Sequence, residues 1–208
     1  MTAMLLNNYK LAVHSAEIRG YLTNDVTAAR ICWSINIAGE DMRPQMPDDC
    51  PQELEPRFYD ENLQISLDNW EELEGQEIHF DLDTSSDDQD PVLYLCSHMT
   101  LPESHIHIGA RRGNSFDFSW QGLADANWDD DLGTNMPFLI EGALAFKGLE
   151  VRFGENNYPE DQVENIARKI MDKHNFYHAN LCFAGSKRFR DDKEDEYYHL
   201  MRAFFEGK

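Results

Sequence analysis

Two histidines separated by a single residue are the first candidates for chemistry in this sequence. His105 and His107 alternate with Ile106 and Ile108, and His98 precedes the pair. Side chains two positions apart on a β-strand point to the same face, so one metal ion could bind both imidazoles. The pattern raises the hypothesis of a metal-assisted or small-molecule enzyme, with His98, His105 and His107 at the mouth of a β-core.

The residues that follow this pair argue against a metal centre. The His-x-His spacing resembles the first half of a cupin metal motif, in which a glutamate follows a few residues later. Arg111 and Arg112 occupy those positions here, and two cations beside the imidazoles oppose a divalent ion. We therefore expect exposed strand histidines and no cofactor, and the metal site is the alternative.

Other catalytic motifs are missing from the sequence. It contains no Gly-x-Ser-x-Gly nucleophile elbow and no Walker-type phosphate loop. The cysteines Cys32, Cys50, Cys96 and Cys182 form no Cys-x-x-Cys pair, and three of them lie in apolar stretches. This usage is typical of small buried side chains in a reducing cytosol. We expect a binding protein rather than an enzyme.

Negative charge is the strongest feature of the composition. The chain has 39 acidic and 18 basic residues and a net charge of −21. Residues 40–90 hold 18 of the acids against only Arg43 and Arg57, a net charge of −16, so the other 157 residues carry −5. This field would repel nucleic-acid phosphates and anionic lipid. We expect neither nucleic acid nor membrane as a partner.

The acidic segment also contains aromatic residues, and aromatic anchors inside a charged rim are usual in tight protein interfaces. We predict that it binds a basic protein partner, such as a toxin enzyme, and sequesters or inhibits it. In size and composition the chain is similar to bacterial immunity proteins, which block toxin enzymes. The candidate contact residues are Phe58, Tyr59, Asp60, Glu61, Trp70, Glu71, Glu72, Asp87 and Asp88.

These side chains must be positioned by a fold that is rich in strands. Apolar residues recur at every second position in much of 94–153 and in 31–37, which predicts half-buried strands. Residues 39–62 contain four prolines among acids and predict an acidic, proline-rich loop. Residues 68–75 predict a short helical turn that ends at Gly75.

The link between two of the strands allows a prediction of register. Only a loop with an odd number of residues places the apolar residues around Ile108 and Phe118 on one face. We therefore predict a three-residue loop over 112–114, with a positive φ at Gly113 or Asn114. In this register the histidine pair points outward.

The C-terminal part of the chain changes from an alternating to a helical period. Residues 158–171 and 191–205 carry apolar residues three and four positions apart, which predicts two helices. The fold class is then α+β: a mainly antiparallel, curved or two-layered sheet with two C-terminal helices. An all-β sandwich with appended helices is the alternative.

The length and the termini predict how the chain is organised and where it works. A single domain over 1–208 is expected, because 208 residues can enclose one sizeable core and no internal repeat is present. The N-terminal residues lack the basic start and apolar block of a signal peptide. No apolar run is long enough to span a bilayer. We expect a cytoplasmic protein.

Overall fold

One long, curved sheet organises the computed structural model of the protein. The structure describes residues 2–22, 31–41, 55–63, 65–67, 70–81, 91–95, 97–101, 103–124, 135–154, 162, 164–165, 168–169, 181–190 and 195–203. Of these, residues 22, 151–154, 181–190 and 195–203 are described by their backbone alone. The strands are β1 (Ala3–Leu6), β2 (Tyr9–Leu22), β3 (Ile31–Gly39), β4 (Arg57–Leu63), β5 (Glu77–Phe80), β6 (Val92–Tyr94), β7 (His98–Thr100), β8 (Glu103–Arg112), β9 (Ser115–Ala124), β10 (Met136–Gly154), β11 (Leu181–Arg190) and β12 (Asp195–Ala203). A short 3-10 helix, Trp70–Leu73, lies between β4 and β5.

The strand order along the sheet is β5-β8-β9-β10-β1-β2-β3-β4-β6-β7, and β12 and β11 continue from the C-terminal part of β10. Neighbouring strands are antiparallel, except that β10 runs parallel to β2. Phe58 of β4 packs against Trp120 of β9 and Phe138 of β10, with ring centroids 5.7 and 4.8 Å apart. Because β4 lies far from β9 in the strand order, these contacts require the sheet to curve back over its own core.

The parallel pairing of β2 with β10 is tightly packed and carries a charged network. A Cβ atom on Gly20 would lie 2.3 Å from Leu149 Cδ2, so glycine is needed for this close approach. Beside it, Arg19 donates to the buried carboxylate of Glu150 at 3.0 Å and to Glu17 at 3.1 Å. A buried carboxylate is tolerated only with such a partner.

The hairpin of β8 and β9 confirms the predicted register but corrects the predicted loop. Ile106 pairs with Trp120 and Ile108 with Phe118, and all four side chains are buried. The loop has two residues rather than three, and Gly113 has the expected positive φ, +64°. One extra residue of β8 bulges after Ile108 and restores the register that a third loop residue was predicted to provide.

The predicted α+β fold class is wrong. Asp195–Ala203, within the second predicted helix, forms β12 and pairs with β10 and β11. The alternative, an all-β sandwich with appended helices, fails on the same point. Around the first predicted helix, the described residues have helical geometry but are too scattered to define a helix; they are Gln162, Glu164, Asn165, Arg168 and Lys169. The described part of the chain is a mostly antiparallel β-structure.

The loop predicted over 39–62 contains a strand. Arg57–Leu63 forms β4 and pairs with β3 and β6, while 42–54 lie outside the described residues. Two features hide this strand in the sequence. Asp60 is an acid on the buried face, and a bulge before Leu63 interrupts the alternation.

The cysteines are described in part. Cys32 of β3 is a buried, free cysteine, as predicted for a small core side chain. Cys50 and Cys96 lie outside the described residues, and Cys182 is described by its backbone alone.

None of the described helical residues belongs to a helix long and apolar enough to cross a membrane.

Candidate functional site

An imidazole cluster, formed by Glu77, His79, His105 and His107, lies on the outer face of β5 and β8. Strand pairing places His79 opposite His105 and Glu77 opposite His107. His105 Nε2 and His107 Nδ1 lie 2.5 and 2.7 Å from the two carboxylate oxygens of Glu77. The His79 and His105 rings stack with their centroids 4.3 Å apart. The histidine pair points outward, as predicted, because the alternating isoleucines of β8 are buried.

The histidines of this cluster favour the charged form of Glu77. Although desolvation acts to raise the pKa of Glu77, the hydrogen bonds with His105 and His107 lower it below the ordinary value of 4.5. Since the folded-state pKa is depressed, the contribution of Glu77 to stability is present above pH 4.5 and is lost as the pH falls through the lowered pKa. At neutral pH, the hydrogen bonds of Glu77 therefore stabilise the pairing of β5 with β8.

The three histidines of the metal hypothesis are not brought to one centre. His98 lies on β7, where its ring contacts Tyr59 and Tyr94. His105 and His107 instead direct ring nitrogens to the Glu77 carboxylate. Within the described ranges, no three His, Cys, Asp or Glu side chains are arranged to hold a metal ion. The arrangement is suited to ion pairing between strands.

The Arg111 site consists of Trp70, Glu71 and Arg111. The guanidinium carbon of Arg111 lies 5.1 Å from the centre of the Trp70 ring, and Arg111 Nη1 donates to Glu71 Oε1 at 2.5 Å. Trp70 is buried and stacks on Phe146 with centroids 4.7 Å apart and an interplanar angle of 3°. Trp70 and Glu71 belong to the predicted helical turn, which is a 3-10 helix. Gly75 follows this helix and has a φ of +83°.

An acidic cleft of about 610 Å³ is lined by His14, Glu40, Asp41 and Glu55. A one-residue bulge in β2 places His14 beside Glu55, with Nε2 3.0 Å from Oε1. Arg57 also binds Glu55, at 2.5 Å. Glu40 and Asp41 are exposed and form no ion pair with the described residues, so their charges face the cleft and the solvent.

The tyrosine patch consists of Tyr21, Tyr59, Glu61, Tyr94 and His98, on the outer faces of β2, β4, β6 and β7. The His98 ring lies 5.1 Å from the Tyr94 ring and 6.3 Å from the Tyr59 ring. The Tyr21 hydroxyl donates to the Glu61 carbonyl at 2.7 Å. Desolvation, the Glu61 charge and Tyr94 together raise the pKa of Tyr59. Aromatic rings and a carboxylate thus share one outer surface.

The predicted contact residues divide between surface and core. Those that reach the surface are Tyr59, Glu61, Glu71 and Glu72. Those that are buried are Phe58, Asp60 and Trp70, with exposed fractions of 0%, 5% and 8%. Asp87 and Asp88 lie outside the described residues. A partner that docks on this structure would touch the first group and not the second.

Sequence reasoning missed Tyr94 as a candidate contact residue. Its side chain is 39% exposed. The alternation of Tyr94 with the buried Leu93 and Leu95 is a signal that its ring points outward. Its closeness to Tyr59 could not be inferred, because it depends on the pairing of β6 with β4.

Comparison with known proteins does not assign a function. No family model, no curated protein and no solved structure matches this chain. The function is therefore inferred from the charge and side-chain chemistry of the described surface.

Proposed function

We propose that this is a cytoplasmic, non-enzymatic protein that binds a basic protein partner and sequesters or inhibits it. The observation that carries the proposal is the net charge of −16 in residues 40–90. Ten of the 18 acids in this segment are described, and nine of those ten are at least partly exposed. Charge of this density attracts cationic proteins and speeds their association.

Internal ion pairs leave much of this charge available to a partner. Arg111 forms an ion pair with Glu71, and hydrogen bonds with His105 and His107 engage Glu77. The exposed acids that make no ion pair among the described residues are Glu40, Asp41, Glu61 and Glu74. They lie just after β3, on β4 and in the turn before β5, so a partner would meet a broad field rather than one point charge.

A basic toxin enzyme is the class of partner that this chemistry favours. The size and acidic composition are similar to those of immunity proteins, which block toxin enzymes. Binding of this kind uses surface charge and aromatic contacts and needs no cofactor.

Capture of proteins on the immobilised full chain tests the proposal. Bound proteins are eluted with salt and identified by mass spectrometry, and the association rate of each purified partner is then measured. We expect a partner of high isoelectric point, whose association slows about tenfold or more between about 20 and 200 mM salt because screening weakens the long-range attraction. A rate that does not change with salt, or a partner without excess positive charge, contradicts the proposal.

Two double variants with equal changes in charge provide the control. Glu40→Gln with Asp41→Asn removes two charges from the acidic segment. Glu103→Gln with Glu141→Gln removes two exposed charges from outside it. We expect the first to slow association about threefold or more and the second by less than about twofold. Equal effects would mean that the segment has no special role.

A further inference from the structure

The tyrosine patch contains the groups that a guanidinium binds. Tyr94 is one of two large apolar side chains exposed among the described residues. Glu61 lies two positions from Tyr59 on β4, is exposed and makes no ion pair within the described ranges. A planar guanidinium stacks on aromatic faces and pairs with carboxylates, so rings beside a carboxylate suit arginine better than any other cation in proteins.

The Arg111 site is a filled example of this chemistry in the same molecule. Arg111 lies over an aromatic ring and donates to a glutamate next to that ring in the chain. The tyrosine patch has corresponding parts, with Tyr59 and Tyr94 as the rings and Glu61 as the carboxylate. Among the described residues, no cation lies over the ring of Tyr59 or Tyr94.

Arg57, the cation beside the patch, is directed elsewhere. It pairs in register with Tyr94, but its Nε and Nη2 donate to Glu55 at 3.0 and 2.5 Å. Glu55 also lines the acidic cleft. The patch and the cleft therefore meet at the Arg57–Glu55 pair and form one continuous surface, with aromatic rings at one end and uncompensated acids at the other.

We infer that this continuous surface is the docking site for the basic partner, and that the tyrosine patch takes an arginine side chain of that partner. The guanidinium stacks on Tyr59, whose neighbours on this surface include Tyr94, and pairs with Glu61 two positions along β4, while further cations of the partner face Glu40 and Asp41. This inference rests on the proposed function, because it names the surface and the side chain through which the partner binds. Charge complementarity selects the partner, and the rings select arginine over lysine.

Titration with a small probe tests this site without knowledge of the natural partner. A blocked Gly-Arg-Gly-Arg-Gly peptide and its lysine counterpart are added to the full chain at low ionic strength, and amide shifts are followed by NMR. We expect shifts at Glu61, Tyr94 and His98 but not in residues 71–77, and about threefold or more weaker binding of the lysine peptide. Equal binding of the two peptides, or shifts confined to other regions, overturns the inference.

Matched variants separate the site from general charge. Glu61→Gln and Tyr94→Leu are each expected to weaken arginine-peptide binding about fivefold. Glu74→Gln removes the same charge from an exposed acid outside the patch and is expected to change binding less than about twofold. The NMR spectra report directly that each variant is folded. Equal losses in Glu61→Gln and Glu74→Gln overturn the inference.

The two proposals fail in different ways. If a basic partner associates in a salt-dependent manner but ignores Glu61→Gln and Tyr94→Leu, the docking site is wrong and the function stands. If the arginine peptide binds the patch but no basic protein does, the proposed function is wrong and the docking inference, which depends on it, falls as well.

Discussion

The Arg111 site and the tyrosine patch combine the same chemical groups, yet they differ in burial. Trp70 is 8% exposed, stacked on Phe146 and covered by the chain's own arginine. Tyr94 is 39% exposed, with His98 beside its ring. The first arrangement closes the core, and the second leaves rings and a carboxylate at the surface.

This difference follows from where each aromatic lies on the sheet. Trp70 belongs to the 3-10 helix, and its ring packs against Phe116 and Phe146. The ring therefore forms part of the apolar interior. Tyr59 and Tyr94 lie on the convex face of strands whose other face is already filled by Phe58 and Leu93. Aromatic residues close together in sequence therefore serve stability in one place and are available for recognition in the other.

Truncating one aromatic from each region gives the largest expected contrast. Trp70→Ala removes a buried, stacked ring and is expected to lower the free energy of unfolding by about 3–5 kcal/mol. Tyr94→Ala is expected to lower it by less than about 1 kcal/mol, because its ring is largely at the surface. Urea denaturation measures both. Similar losses for the two variants would remove the distinction between a structural and an exposed aromatic site.

Removing Arg111 is expected to have an intermediate effect. Arg111→Ala abolishes one cation–π contact and one partly exposed ion pair, a loss of about 1 kcal/mol in the free energy of unfolding. Arg112→Ala is the control, because the neighbouring Arg112 pairs with the exposed Asp117 at 2.8 Å and covers no ring. We expect little change in its denaturation midpoint. Equal shifts in both variants would show that the ring contact of Arg111 contributes nothing.

The smallest expected effect comes from Arg57, the cation beside the tyrosine patch. Arg57→Gln frees the Glu55 carboxylate and removes a positive charge beside Tyr94, so the arginine peptide is expected to bind about twofold more tightly. Lys10→Gln makes the same change in charge at an exposed residue of β2 and is the control. Tighter binding in both variants to the same degree would indicate an effect of net charge alone.

The sheet could be predicted from the sequence where alternation is regular. The faces and register of β8 and β9 follow from their apolar residues, and that prediction is confirmed by the Ile106–Trp120 pair. The bulge after Ile108 could not be predicted, because a bulge and a longer loop restore the same register. The β4 strand was missed because Asp60 interrupts its apolar face.

The second predicted helix failed for a different reason. Residues 195–203 have apolar residues at helical spacing, and local spacing is a weak preference that tertiary pairing can override. The C-terminal part of β10 and the strand β11 offer backbone partners on both sides of this segment. Pairing with them satisfies its hydrogen bonds as a strand, and no local pattern reports that those partners exist.

The sign and position of the charge, the outward direction of His105 and His107, and the strand character of the core follow from the amino-acid sequence, because they depend on composition and on local period. Which aromatic side chains are exposed depends on how the strands pack together. Trp70 is covered by Phe146 and Arg111, and the His98 ring contacts Tyr59 of β4, through contacts between segments far apart in the chain. Exposure is a property of such packing, so a single strand or turn cannot specify it.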